Sequence, residues 1–220
     1  MTASLLIVDD HQLLAQGLAA ALTDRGSAAP TTIDPTQVDA RSAIAASNPD
    51  LVLLDVDFGD NQRAGIELIA ELVRQGRRVI MFTGINDPAL YGLCLDLGAE
   101  TVIRKAAPLD EVVGLLDHAV RGDDVGNDAE RFGWYKAFRA SETARAAALA
   151  PFEHLTERES CVLASLVDGM TVDEIAEASF VAVSTVRSQV RSIFQKLGVH
   201  SQLAAVALAR RAQWQPPAHV

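Results

Sequence analysis

The sequence Ser4-Leu-Leu-Ile-Val8, followed at once by Asp9-Asp10, decides the fold class. A short apolar run that ends in polar residues is typical of a buried strand in a parallel sheet. Three later runs end in the same way, at Asp55, Thr83 and Lys105. Because the carboxyl ends of neighbouring parallel strands meet at one rim of an open sheet, we expect these polar residues to form one pocket.

The expected pocket combines three carboxylates, one hydroxyl and one ammonium. Divalent cations such as Mg²⁺ prefer oxygen ligands, and lysine is a mobile point charge for phosphate, so the set suits a cation together with a phosphoryl group. Taken alone, Asp9 and Asp10 are equally consistent with solvated acids at a helix N-terminus. His11 follows them, and a lone loop histidine is more often solvated than part of a site.

Short β-branched runs alternate with helical patterns from residue 4 to about residue 121, which is typical of βα units on a parallel sheet. Residues 1–121 are therefore predicted to form an α/β doubly wound domain with a five-stranded parallel sheet. Strands are expected near residues 4–8, 31–33, 51–55, 78–83 and 100–104, and helices near 11–25, 36–47, 64–75, 88–97 and 108–121.

Residues 122–153 are predicted to link two domains. Gly122–Asp128 has the glycine, asparagine and aspartate content of a loop, and the alanine-rich stretch from Ala129 to Ala150 predicts a helix. This helix carries aromatic residues at three-residue intervals, which we interpret as a packing stripe: Phe132, Tyr135 and Phe138.

Residues 154–214 are predicted to form a small all-α domain. Thr156-Glu-Arg-Glu159 and Thr171-Val-Asp-Glu174 both have the sequence of a capping box and so predict two helix starts. A third helix is expected at about residues 185–197. A tight turn followed by a helix with outward basic residues indicates a helix-turn-helix suited to the major groove of DNA.

Charge is distributed unevenly along the chain. Residues 1–121 hold 17 Asp/Glu and 9 Lys/Arg, whereas residues 154–220 hold 6 of each. No acid follows Glu177, but five basic residues do. This polarity favours contact with nucleic-acid phosphates, although a solvated basic face would have the same composition.

Other features bound the protein class. Cys94 and Cys161 are the only cysteines, which is too few for a disulfide scaffold and indicates two buried thiols. No apolar stretch has the length of a membrane span, and no basic signal-peptide head precedes the first strand. The sequence therefore predicts a cytoplasmic protein without a membrane partner.

Motifs at both ends resemble known families. Leu155-Thr-Glu-Arg-Glu159, Gly169-Met-Thr-Val-Asp-Glu-Ile-Ala176, Thr185-Val-Arg187 and Lys196-Leu-Gly-Val199 look like a LuxR-type helix-turn-helix. Residues 1–121 look like a CheY-like receiver, a flavodoxin-like fold. Together these resemblances imply a two-component response regulator of the NarL/FixJ type, and not an enzyme.

The resemblance implies specific roles and partners. Asp55 would be the phosphoacceptor, with Thr83 and Lys105 binding the phosphoryl group. Mg²⁺ would be held by Asp9, Asp10, Asp55 and the backbone carbonyl of Asp57. The residues implied to lie at double-stranded DNA are Thr185, Arg187, Ser188, Arg191 and Lys196. A cognate sensor histidine kinase and a homodimer in the active state are also implied.

Some residues depart from the family pattern. Asp55-Val-Asp-Phe-Gly59 lacks the usual Met-Pro, and Val102 stands where a switching aromatic is often found. Ala182 replaces a common capping serine, which leaves Ser184 as the alternative cap. A phosphorylation-independent receiver is therefore the alternative hypothesis. Asp55 and Asp57 also resemble the DxD motif of haloacid-dehalogenase-like phosphatases, but on the third strand instead of the first.

Overall fold

The computed structural model describes residues 3–58 and 64–217. The chain divides into two compact units, Met1–Ala140 and Ser141–Val220. The predicted boundaries at residues 121 and 154 remain a proposal about where the functional domains end.

The first unit is built on a five-stranded parallel sheet in the order β2-β1-β3-β4-β5. This confirms the predicted α/β fold class. β1 and β3 are completely buried, which explains why their sequences are continuous apolar runs instead of alternating ones. The strands are β1 Leu5–Val8, β2 Thr31–Ile33, β3 Leu51–Asp55, β4 Arg78–Thr83 and β5 Thr101–Arg104.

Helices cover both faces of this sheet and enclose two apolar cores. One core contains residues of α2, α3 and α4, and the other contains residues of α1 and α5. These layers fix the ends of the strands relative to one another. The helices are α1 Gln12–Asp24, α2 Ala40–Ser47, α3 Ala64–Arg74, α4 Pro88–Asp96 and α5 Leu109–Val120.

The predicted start of α2 at residue 36 was wrong. Asp34 Oδ1 accepts a hydrogen bond from the amide of Thr36, which stabilises a turn there instead of a helix. The helix begins only after Asp39, whose carboxylate accepts a hydrogen bond from the amide of Ser42 as its N-cap.

A long helix, α6, spans Asp128–Leu149 and crosses the division between the two units. The predicted aromatic stripe was wrong, because Phe132 is 73% exposed whereas Phe138 is buried. An α-helix turns about 100° per residue, so positions six apart differ by roughly 120° and do not share a face. Trp134, four residues before Phe138, shares its face and packs on the apolar core that contains residues of α2, α3 and α4.

The second unit is helical, as predicted. Both predicted capping boxes form, at Thr156 with Glu159 and at Thr171 with Glu174. Its apolar core includes Phe152, which stacks on Trp214. A short 3-10 helix, Ala150–His154, precedes α7 Glu157–Val167, α8 Val172–Ala178, α9 Val183–Leu197 and α10 Gln202–Arg211.

The start of α9 differs from the prediction. The helix begins at Val183 after Ala182, and no side chain caps it. Ser184 was the predicted alternative cap, but it lies inside the first turn and so cannot serve as one. The predicted end at Gly198 is confirmed, since this glycine adopts a left-handed φ of 65°.

Two further expectations concern cysteine and membrane. Cys94 is buried, as predicted, whereas Cys161 is only partly buried. Burial raises the pKa of the Cys94 thiol to about 12, so it acts as a small apolar side chain. Within the described ranges, no helix combines the length and apolar character needed to cross a membrane.

Candidate functional site

Polar residues from three strand ends meet at one rim of the sheet. Lys105 follows β5 and places its Nζ 2.6 Å from Oδ2 of Asp55, the last residue of β3. The same Nζ lies 2.9 Å from Oδ1 of Asp9, which follows β1. The expected convergence of Asp9, Asp55 and Lys105 is therefore present in the structure.

These charges are buried. Asp9 is 1% exposed and Asp55 2% exposed, whereas the Lys105 side chain retains 14% exposure. Charged groups are removed from water at a high cost unless they are paired, and Lys105 pairs with both carboxylates. Gly65 lets the start of α3 approach the backbone of Asp55, because a Cβ at this position would overlap the carbonyl oxygen of Asp55.

Burial and the ion pair together set the pKa values of Asp55 and Lys105. Burial raises the pKa of Asp55 to about 6, against the opposing effect of the Lys105 ammonium. Burial by itself would lower the pKa of Lys105, but hydrogen bonds and attraction from Asp55 and Asp9 outweigh it, and the net shift is upward. At neutral pH Asp55 is therefore mainly a carboxylate and Lys105 an ammonium.

The acidic cluster fits a divalent cation. Asp9, Asp10, His11 and Asp55 each offer a ligand atom, and these atoms lie within 4.8 Å of one another. Asp9 Oδ2 is buried and makes no hydrogen bond, although Lys105 Nζ lies 2.8 Å away as an ion-pair partner. An oxygen-rich set with such an atom suits Mg²⁺.

Two more residues lie beside the acidic cluster, Asp57 and His11. The amide of Asp57 donates to Oδ1 of Asp55 at 3.2 Å, and its proposed carbonyl contact with metal remains a prediction. His11 is 68% exposed, as expected of a solvated histidine, and its Nδ1 also lies 2.7 Å from Oδ1 of Asp10. Its position directly after the acid pair was the signal in the sequence for this contact.

Thr83 ends β4 and is 1% exposed. Its hydroxyl oxygen accepts a hydrogen bond from the amide of Ile85 at 3.0 Å. This bond ties the Thr83 oxygen to the loop between β4 and α4, and it leaves the hydroxyl proton for the predicted bond to a phosphoryl group.

The second candidate site is the outer face of α9. Val186, Val190 and Ile193 are buried on its inner face. Thr185, Arg187, Ser188 and Arg191 are all exposed, as expected of residues available to DNA. Pairing of the helix with α8 through a short turn gives the helix-turn-helix geometry that the sequence predicts.

Lys196 differs from these four residues because it has a partner within the domain. Its Nζ lies 2.6 Å from Oε2 of Glu159, whose Oε1 accepts a hydrogen bond from Ser192. Burial opposes ionisation of Glu159, but the bonds from Lys196, Ser192 and Thr156 prevail and lower its pKa to about 2. This cluster joins α7 to α9.

Comparisons with known families and proteins match the two parts of the chain that carry these candidate sites. Residues 5–117 match the response regulator receiver domain, and residues 153–209 match the luxR family of bacterial regulatory proteins. The probable transcriptional regulatory protein NarL of Mycobacterium tuberculosis is 30% identical over 206 residues, which cover 94% of this chain and 93% of that protein.

Other similar proteins cover nearly the same length. Response regulator protein VraR of Staphylococcus aureus is 27% identical over 215 residues, covering 95% of this chain and 97% of VraR. A solved structure of the RcsB response regulator of Salmonella typhimurium has 22% identity and a TM-score of 0.48, and covers 96% of this chain and 98% of its own.

Proposed function

The chain belongs to the response regulators that join a receiver domain to a LuxR-type DNA-binding domain, and from this premise we propose that phosphorylation of Asp55 controls its regulation of transcription. The family is one of transcriptional regulators and not a class of enzymes, which removes the phosphatase interpretation of Asp55 and Asp57.

The proposed reaction takes place at Asp55. A carboxylate oxygen of Asp55 attacks the phosphorus of a phosphohistidine on a cognate sensor kinase, a P–O bond forms and the P–N bond to histidine breaks. Lys105 offsets the charge of the arriving group, because positioning and electrostatics dominate phosphoryl transfer. Asp9, Asp10 and Asp55 would hold Mg²⁺, which supplies further neutralisation of phosphoryl oxygens.

Phosphorylation would disturb the ion pair that closes the site. The product is an acyl phosphate, and the Lys105 ammonium, which binds Oδ2 of Asp55, would bind the new phosphoryl oxygens instead. By analogy with hydroxyl esters, the modification adds about −1.5 to −2 charge and three acceptor oxygens. Thr83, at the end of the neighbouring strand β4, is the hydroxyl proposed to donate to one of them.

DNA binding is proposed for the exposed face of α9. Arg187 and Arg191 would contact phosphates or base edges of double-stranded DNA in the major groove, with Thr185 and Ser188 beside them. Lys196 is proposed to lie at the edge of the DNA-binding face. Its ammonium is paired with Glu159 and is less available to DNA than the two arginines.

A homodimer is proposed as the active form. Residues 154–220 have no net charge, so one copy would bind the DNA backbone weakly and two copies would double the number of contacts. On α10, Leu203 is 81% exposed, which supports this helix as the contact between two output domains.

The pairing of a buried Asp55 with Lys105 at 2.6 Å is the observation that carries the proposal. Incubation with acetyl phosphate and Mg²⁺, followed by intact-protein mass spectrometry, tests it. We expect one phosphoryl adduct on the wild-type chain and none on Asp55→Asn. If Asp55 stays unlabelled while a known receiver in the same solution is labelled, the phosphorylation proposal is wrong.

That negative result would support the second candidate, a phosphorylation-independent receiver that answers to a ligand or protein partner. Val102 favours this candidate because valine has no ring to report the movement of Thr83. The unusual loop after Asp55 was the other argument for it, and Gly59 and residues 60–63 lie outside the described residues.

A further inference from the structure

Thr83 is connected to α4 by two consecutive hydrogen bonds. Its hydroxyl accepts from the amide of Ile85, and the carbonyl of Ile85 accepts a 2.5 Å hydrogen bond from the hydroxyl of Tyr91. Tyr91 is 2% exposed, and burial raises the pKa of its hydroxyl, so it remains a proton donor at neutral pH. The position of Ile85 is thus shared between Thr83 and Tyr91.

The ring of Tyr91 contacts the linker helix. Its centroid lies 5.2 Å from that of Trp134 on α6, with an interplanar angle of 75°. Such an edge-to-face contact depends on orientation, because the positive edge of one ring meets the negative face of the other. A tilt of Tyr91 would therefore change the packing of Trp134.

α6 approaches α4 closely at this point. A Cβ at Gly92 would overlap the carbonyl oxygen of Trp134, so the helices touch through backbone atoms next to Tyr91. Phe138, one turn further along α6, is buried in the same contact. Close-packed contacts of this kind transmit small displacements because they leave no empty space to absorb them.

Position 102 on β5 carries a valine and therefore contributes no aromatic ring next to Trp134. The Val102 side chain is 7% exposed and lies in the apolar core on which Trp134 packs. Valine is stiff about χ1 and offers no hydroxyl, so it cannot signal by swinging between a buried and an exposed position. Tyr91 and Trp134 supply the aromatic groups here from α4 and α6.

We propose that Tyr91 relays the position of Thr83 to Trp134 and thereby sets how α6 packs on the receiver. The proposal rests on phosphorylation of Asp55. When the Thr83 hydroxyl moves to donate to a phosphoryl oxygen, its oxygen carries the hydrogen-bonded amide of Ile85 with it and the loop shifts. The Ile85 carbonyl moves with it, and Tyr91 must tilt to keep its hydrogen bond. No covalent bond changes after the phosphoryl transfer.

The consequence lies in the segment that joins the two units. α6 is one continuous helix from Asp128 to Leu149, and the units divide between Ala140 and Ser141. A change in the packing of Trp134 would therefore alter the constraint on the helix that leads into the second unit. Tyr91 is a positioning residue in this scheme, since it contacts neither Asp55 nor DNA.

Tryptophan fluorescence tests the relay. The chain has two tryptophans, so Trp214→Phe leaves Trp134 as the single reporter. In this background we expect acetyl phosphate with Mg²⁺ to change acrylamide quenching of Trp134 by about twofold, and Tyr91→Phe to abolish most of the change while Asp55 is still labelled. Tyr135→Phe removes the other tyrosine hydroxyl of the chain and should leave the response intact.

The outcomes separate the relay from the phosphorylation proposal. A full adduct on Asp55 without a Trp134 response, or a full response in Tyr91→Phe, would overturn the relay alone. An unlabelled Asp55 would overturn the phosphorylation proposal and the relay with it. Should Trp214→Phe unfold the second unit, ¹⁹F NMR of 5-fluorotryptophan in the unsubstituted sequence gives the same measurement, with the signal of Trp134 identified by its loss in Trp134→Phe.

Discussion

The ammonium of Lys105 lies 2.6 Å from Oδ2 of Asp55. Because β4 lies between β3 and β5 in the sheet, this ion pair joins the ends of two strands that are not neighbours. It also keeps charged a carboxyl group whose pKa burial has raised to about 6. The charge state and the reactivity of Asp55 therefore depend on the same contact.

Replacement of Lys105 by glutamine should slow phosphorylation. Loss of the ammonium raises the pKa of Asp55 further above 6, so less carboxylate is present at pH 7, and it removes a charge that offsets the phosphoryl group. We expect the rate of labelling by acetyl phosphate to fall by about tenfold or more. Arg104→Gln, at the exposed neighbouring position, should label at the wild-type rate.

Asp55→Asn should stabilise the protein at neutral pH without Mg²⁺. The folded pKa of about 6 exceeds the ordinary 3.8, so the native state binds a proton more tightly than the unfolded chain. The contribution of Asp55 to the free energy of unfolding therefore falls as pH rises from about 4 to 6, and above that it amounts to a penalty of about 3 kcal/mol. Urea unfolding at pH 5 and 7.5 measures it. If Asp55→Asn raises the free energy of unfolding by the same amount at both pH values, the prediction is contradicted.

Mg²⁺ should raise the melting temperature, because a cation that binds only the folded acidic cluster stabilises it. At a Mg²⁺ concentration 100 times its dissociation constant, the free energy of unfolding rises by about 2.7 kcal/mol. We expect Asp9→Asn to lose this response and Asp110→Asn, at a 98% exposed acid on α5, to keep it. Scanning calorimetry with Mg²⁺ or with chelator distinguishes the cases, and equal shifts in both variants would mean that the cation binds elsewhere.

The strand ends could be predicted from sequence because each buried strand is a continuous apolar run and the next residue is polar. That pattern was enough to bring together Asp9, Asp55 and Lys105. The contact of Tyr91 with Trp134 could not be predicted, since it depends on the angle at which α6 meets α4 and no periodicity of either helix reports that angle. Three-residue spacing pointed to Phe132 instead, which the rotation of a helix places on another side.

Glu159→Gln should destabilise the second unit. The pKa of Glu159 lies near 2 in the folded state against an ordinary value of 4.5, so its stabilisation is present above pH 4.5 and is lost as pH falls toward 2. We expect a loss of about 3 kcal/mol at pH 7 and little difference at pH 2. Glu174→Gln removes the other capping-box glutamate, whose bonds are to Thr171 with no lysine or serine of another helix among the described residues, and should cost less. Equal losses in both variants would assign the effect to capping alone.

Phe180→Asn should stabilise the turn between α8 and α9. Phe180 has a left-handed φ of 53° and is 95% exposed, so it carries backbone strain without burying its ring. Asparagine tolerates this conformation better, and we expect a gain of about 1 kcal/mol in the free energy of unfolding. Phe180→Ala keeps the Cβ and should change stability little. If alanine stabilises as much as asparagine, the ring and not the backbone is the source of strain.

Arg187→Ala and Arg191→Ala should each weaken DNA binding without loss of helix content. Both side chains are exposed on α9, away from the buried Val186, so truncation leaves the domain core intact. Each phosphate contact contributes to affinity through counterion release, so each substitution should also reduce the slope of log affinity against log salt by about one.

The measurement is fluorescence anisotropy of a labelled duplex carrying the operator, titrated at several salt concentrations, with circular dichroism as the check on folding. Operator fragments are selected first from genomic DNA with the phosphorylated protein. Arg211→Ala is the matched control, because it removes one exposed positive charge from α10 and none from α9. If it weakens binding as much as Arg187→Ala, binding depends on total charge and the assignment of α9 as the recognition helix fails.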